Sequence, residues 1–196
     1  MSLNTMIRPL AISNHRRMLA LSPTPAHKDL SVRRVNKASD RLVIREVFRK
    51  EFFGDHTRQF PDEGLWEIYD KMETEGIFGA YLVYNKEELL FLLEIYPPVQ
   101  MDLAGEWQLQ RGDIGIYCFF PSFHPAAIET ALKACLDALL NTPGIRRIIT
   151  GVGHAEAGEP RVILLKRAGF EPLPDSTERL SIYQCTRKSF LTKHHP

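Results

Sequence analysis

A carboxylate stands at position 94 inside an otherwise apolar run, Leu92-Leu93-Glu94-Ile95, and it is the first place in this sequence where acid–base chemistry can be sought. Two placements are open to it. On the solvent side of a strand Glu94 is an ordinary surface residue; turned inward, desolvation raises its pKa and makes it a candidate base. Tyr117, in a second apolar run, can orient an amine or protonate a leaving group through its hydroxyl, or can simply pack, as strand aromatics commonly do. His154 and Glu156 follow Gly151-Val152-Gly153, where a histidine can shuttle a proton near neutral pH and where a solvated loop is the plainer reading. Ser122 and His124 lie between two prolines and either touch an anion through their side chains or belong to a rigid turn.

Other reaction grammars are absent. The sequence has no G-x-S-x-G nucleophile elbow, no P-loop, no H-E-x-x-H and no G-x-G-x-x-G after a strand, and no metal is expected. Cys118, Cys135 and Cys185 are odd in number, widely spaced and set among apolar residues. They read as buried thiols in a reducing, cytoplasmic compartment rather than as a disulfide framework. Asp113, flanked by Gly112 and followed by Gly115, reads as a residue that satisfies backbone groups in a strand irregularity.

These side chains need elements to carry them. Leu30 to Val35 alternates apolar and polar, as a half-buried strand does. Asp40 stands as an N-cap before Ile44, Val47, Phe48 and Phe52 at helical spacing, with Gly54 as the stop, and a second helix is predicted over Pro61 to Glu75. Ile77 to Tyr84 and Glu88 to Tyr96, joined by Asn85-Lys86-Glu87, form an antiparallel hairpin that carries Glu94. Gly112 to Phe120 is a strand bearing Tyr117. The turn from Pro121 to Pro125 then opens a helix with the stripe Ile128, Ala131, Leu132, Cys135, Leu136 and Leu139. Strand Arg146 to Val152, a helix from Pro160 to Gly169 and strand Leu180 to Thr186 complete an α+β order.

The whole chain has 196 residues and a formal net charge of +1, enough for one well-packed core and too balanced for the basic field of a nucleic-acid binder. A small-molecule partner is expected. No apolar run is long enough to cross a bilayer, so no membrane partner is expected either. Residues 1–28, with Arg8, Arg16 and Arg17 and no acidic residue before Asp29, form a flexible segment or an added edge strand through Leu10, Ala11 and Ile12. Their composition also overlaps that of an organelle transit peptide. One domain is expected over 29–190, with a disordered tail at 191–196.

Two stretches carry a family resemblance. Leu164-Leu165-Lys166-Arg167-Ala168-Gly169-Phe170 resembles the helix close L-Y-x-x-x-G-F of the Gcn5-related N-acetyltransferase (GNAT) superfamily. Leu93-Glu94-Ile95-Tyr96, a spacer with Asp102, and Gly112-Asp113-Ile114-Gly115-Ile116-Tyr117 are similar to a run found in its branch of siderophore-assembly acyltransferases, which act on an N-hydroxylated lysine side chain. Together they span roughly residues 77 to 172. The resemblance implies a central mixed, mostly antiparallel sheet splayed in a V and flanked by about four helices. It implies acetyl-CoA or another acyl-CoA as co-substrate in that V, held by backbone groups of Cys118, Phe119 and Phe120 and by the helix start at His124, Ala126 and Ala127, with Ser122 beside it. A helix N-terminus suits the negative charge of a diphosphate.

The departures are as definite as the matches. The phosphate loop R/Q-x-x-G-x-G/A is replaced by Phe120 to Ala127, which has no glycine and two prolines that lack N–H donors. The branch's catalytic His and Asp correspond to Tyr117 and to the segment Thr150-Gly151-Val152, the superfamily's acid Tyr to Leu165, and its helix-entry Asn to Gly158. Two functions therefore stand. One is an acyl-CoA-dependent N-acetyltransferase, a monomer or homodimer, using Glu94, Tyr117 and His154 on a small amine or hydroxylamine. The other is a catalytically degenerate domain of the same fold that binds a ligand or a protein partner.

Overall fold

The computed structural model describes residues 28–36, 38–50, 66, 67, 70, 79–96, 110–153, 159–173 and 180–194. Its strands are β1 (Leu30–Arg34), β2 (Gly79–Asn85), β3 (Glu88–Tyr96), β4 (Asp113–Phe119), β5 (Arg147–Gly153), β6 (Glu171–Pro172) and β7 (Leu180–Thr186). Its helices are α1 (Arg41–Arg49), α2 (Pro125–Leu140), α3 (Glu159–Arg167) and α4 (Arg187–His194). The strands form one mixed sheet in the order β1-β2-β3-β4-β5-β7-β6. Every pairing is antiparallel except that of β4 with β5.

The central strands are apolar on both faces, and both faces are covered. On one side Ile128, Leu132, Cys135, Leu136 and Leu139 of α2, with Leu164 of α3 and Ala168 just after it, pack on Val83, Leu93, Ile95 and Ile116. On the other, Ile44 and Val47 of α1 pack on Ala80, Leu82, Leu92 and Phe119. Each fully buried Leu or Ile contributes roughly 1.5–3 kcal/mol, and this two-sided burial is why β3 and β4 read as continuous apolar runs. Of the helix predicted over 61–75, Trp66, Glu67 and Asp70 are helical and Trp66 packs against the α1-side core; the rest lies outside the described residues, as does the segment 1–27. No described helix is long and apolar enough to cross a membrane.

Two local features differ from the sequence expectations. Asp40 occupies the N-cap position of α1, yet its carboxylate makes no capping bond. It accepts instead from both Nη atoms of Arg33 (2.6 and 2.8 Å) and from the Asn36 N–H (2.7 Å), because a bidentate charged donor outcompetes a neutral amide. The second is the C-terminus. The chain does not end its order at residue 190: after β7, Thr186 and Ser189 exchange hydrogen bonds (Thr186 N–H to Ser189 Oγ, 3.0 Å; Ser189 N–H to Thr186 Oγ1, 3.1 Å) and start α4, which places Phe190 against Gly169.

The Arg33 guanidinium holds the Asp40 carboxyl below the usual carboxylate range. The stabilisation is therefore fully present above the unfolded carboxyl pKa, about 4, and is lost as pH falls through the lower folded value. Asp40→Asn should cost about 1–2 kcal/mol at pH 7, and the gap to wild type should narrow as pH falls below about 4 when urea midpoints are measured across the acid range.

Candidate active site

Strands β4 and β5 are in register only at Asp113–Arg147, Ile114–Ile148 and Gly115–Ile149. Both strands continue, but β4 then pairs only with β3, as far as Phe119, and β5 only with β7, as far as Gly153. The sheet thus opens into a V. Its closed end lies at Asp113 and its mouth faces Phe120 and the first turn of α2.

The closed end is clamped by charge and by backbone contact. Arg147 donates to both oxygens of Asp113 (Nε to Oδ1, 2.9 Å; Nη2 to Oδ2, 2.5 Å), and Asp113 Oδ2 also accepts from the Gln110 N–H at 2.7 Å. The Asp113 side chain is 2% exposed. Gly112, at φ +101°, brings its carbonyl to the Arg146 N–H at 2.8 Å, and a Cβ there would stand 2.7 Å from the Gly144 carbonyl oxygen. Only glycine permits that approach. Asp113 does meet the backbone, at Gln110, as its strand position suggested, and it also pins β4 to β5.

One row of side chains crosses the sheet beside the V. Ala80 of β2, Glu94 of β3 and Tyr117 of β4 are directly opposite one another, so they share a face, the one covered by α1. Glu94 is 4% exposed, which decides its placement: it is an inward carboxylate. Tyr117 packs on Phe119 (ring centroids 4.6 Å apart), and its hydroxyl accepts a hydrogen bond from Arg161 Nη1 at 3.1 Å.

Arg161 is the residue that motif reading missed. It belongs to α3, on the opposite face of the sheet, and is 4% exposed. Its Nη2 donates to the Cys118 carbonyl at 2.9 Å, and its guanidinium carbon lies 4.5 Å from the centre of the Tyr117 ring and 5.9 Å from that of Phe120. It bridges the two cores through the V. A signal was present: Arg161, Leu164, Leu165 and Ala168 fall at i, i+3, i+4 and i+7, and the last three are buried, so the arginine sits on the inward stripe of α3.

The other predicted residues are spread along the same edge. Cys118, Phe119 and Phe120 are buried, and Phe120 packs on Phe91 at 5.7 Å. Ser122 is half-buried on a cavity of about 450 Å³ that it shares with Leu42, Val47, Lys50 and Leu89, on the α1 side. His124 is the N-cap residue of α2 but offers no side-chain cap; its Nε2 lies 3.1 Å from Glu88 Oε1 at the surface. Ala126 is exposed and Ala127 half-buried in the first turn of α2, where helical amides have no intrahelical acceptor. His154 lies outside the described residues, so Glu94 and Tyr117 are brought together while the third candidate is not placed. Cys135 and Cys185 are free thiols whose pKa burial pushes up to about 12, which removes them as nucleophiles. Among the described residues no group of His, Cys, Asp and Glu could hold a metal.

No family model and no curated protein sequence matches the chain. Solved structures do. An uncharacterized protein from Bacillus halodurans is similar with a TM-score of 0.70 at 16% identity, over 84% of this chain and 87% of that one. Aminoglycoside acetyltransferase AAC(6')-Ib in complex with coenzyme A is similar with a TM-score of 0.67 at 16% identity, over 84% and 99%. The ribosomal alpha-N-protein acetyltransferase RimL in complex with coenzyme A follows at 0.61 and 10%, over 84% and 98%. The chain has the fold of the GNAT acetyltransferases, with the V between β4 and β5.

The clamp is the feature to break first. Asp113→Ala leaves a nearly buried guanidinium without its carboxylate and should lower unfolding free energy by about 3–5 kcal/mol in a denaturant titration.

Proposed function

We propose that this protein is an acyl-coenzyme A-dependent N-acyltransferase acting on a small amine or hydroxylamine. The observation that carries the reading is the buried pair of Glu94 and Tyr117 in one row beside an open V in the sheet. The residues of the V suit the donor in part. Cys118 has its carbonyl on the β5 side, where a peptide-like pantetheine arm bonds as an added strand would, and the first turn of α2 offers amides toward a diphosphate. The loop suits it less well, since Pro121 and Pro125 supply no N–H. When bound, the donor supplies a thioester carbonyl as the electrophile.

In this chain the work falls to two side chains. Glu94 takes the proton from the attacking nitrogen, so that the N–C bond forms from a neutral amine. The Tyr117 hydroxyl, in the same row, would supply the proton to the departing sulfur as the C–S bond breaks. Removal of such a base costs ~10² to 10⁴-fold in rate. A hydroxylamine acceptor of the siderophore-assembly kind rests on the likeness at Leu93 to Tyr96 and Gly112 to Tyr117. Amine acceptors in general are supported by the aminoglycoside complexes among the similar structures. His154, which follows Gly153 in the sequence, is proposed as a proton shuttle. Three free, buried cysteines support a cytoplasmic protein, working as a monomer or homodimer.

A second reading keeps its own support. The two prolines in the phosphate turn, and the arginine lodged on the β4 edge, fit a domain that binds a ligand or protein partner without acyl transfer. Calorimetric titration separates the two. Acetyl-CoA should bind at or below millimolar concentration, and Glu94→Gln should keep that affinity while lowering kcat toward an amine panel by about 10²-fold or more. If wild-type protein takes up no acetyl-CoA at millimolar concentration, the second reading stands.

A further inference from the structure

The β4 edge that an acyl donor would use already carries a side chain. Cys118 pairs with Leu93 on its β3 flank, while its carbonyl on the other flank accepts from Arg161 Nη2 at 2.9 Å. The same fork reaches the Tyr117 hydroxyl at 3.1 Å, and its carbon stands 4.5 Å from the Tyr117 ring centre. The guanidinium therefore stands against the strand at Tyr117 and Cys118, in the lane between β4 and β5. Non-bonded atoms settle at separations of about 3.5–4.0 Å, so an extended arm adding to β4 and this guanidinium cannot share the lane.

We propose that Arg161 is a latch on the donor lane: it closes the V in the ligand-free protein by bonding the Cys118 carbonyl and the Tyr117 hydroxyl, and must let go for an acyl-CoA to enter. The proposal rests on the acyltransferase reading above and deepens it with a means of control. Three features support a latch rather than a fixed strut. The residue is an arginine, with several rotatable bonds between the α3 backbone and the fork, so the fork can swing without moving the helix. It sits in the first turn of α3, beside the mouth of the V rather than at the clamped end. Two of its hydrogen bonds run to the β4 edge itself, one to a backbone carbonyl and one to a phenol, so both are given up together when the fork leaves that edge.

A closed state of this kind lowers apparent affinity by the fraction of molecules that are open. It also couples donor entry to Tyr117, because the fork that blocks the lane also holds the hydroxyl. The free protein then keeps its phenol engaged until a donor arrives.

The test is a calorimetric double-mutant cycle with acetyl-CoA, on variants first checked by near-UV circular dichroism for native packing. R161M should bind at least tenfold more tightly than wild type. Y117F, which removes one of the two anchors, should tighten binding by a smaller factor, and the R161M/Y117F double variant should match R161M alone, since the tyrosine acts through the arginine. R161K keeps the charge without the fork and should fall between wild type and R161M, which serves if R161M does not fold. Equal or weaker binding by R161M and R161K overturns the latch and makes Arg161 an anchor or a strut, while leaving the acyltransferase reading intact. Absence of binding in wild type and in every variant overturns both.

Discussion

The Asp113–Arg147 pair fixes the place from which the rest of the architecture is measured. It is the first rung of the single parallel pairing in the sheet, and two rungs later that pairing ends. Parallel neighbours have no hairpin to hold them together, so β4 and β5, joined through α2, need another reason to meet at one end and part at the other. A bidentate carboxylate–guanidinium contact with an almost fully buried acid supplies it. Gly112 adds a steric condition, since its carbonyl must reach the Arg146 amide where the backbone of Gly144 also comes close. Charge at one end and absence of a Cβ at the same end together determine where the V begins.

From that point outward buried polar side chains line the site. Glu94 and Tyr117 share a row on the α1 face, and Arg161 reaches Tyr117 from the α3 face, through the gap that the clamp makes possible. Burial of a carboxylate, a phenol and a guanidinium so near one another costs free energy that an apolar core would not. Such groups are informative because the fold alone does not need them.

Much of the scaffold was legible because its physics is local. The stripe of α2 and the alternation of β1 are periodic signals, and β3 and β7 occupy the residues that their patterns indicated. The Asn85-Lys86-Glu87 link predicts the hairpin, and Lys86 does turn at φ +54°. What periodicity could not carry was choice of partner. Asp40 has the type and position of a cap, and only the nearness of Arg33 from β1 diverts it. Glu94 had two placements on sequence grounds, decided by α1 covering its face of the sheet. Arg161 lies on the apolar stripe of α3, but its target is 43 residues away, at Cys118. The two-residue β6 and the short α4 lack the length that a periodic pattern needs.

Hydrogen exchange with and without coenzyme A tests the central claim, that the V is a donor site, most directly. Slowed exchange is expected to be confined to the amides from Ile116 to Phe120 and the first turn of α2, where an added strand and a diphosphate would engage the backbone. Unchanged exchange at those amides with saturating coenzyme A, or protection elsewhere in the chain, would contradict it.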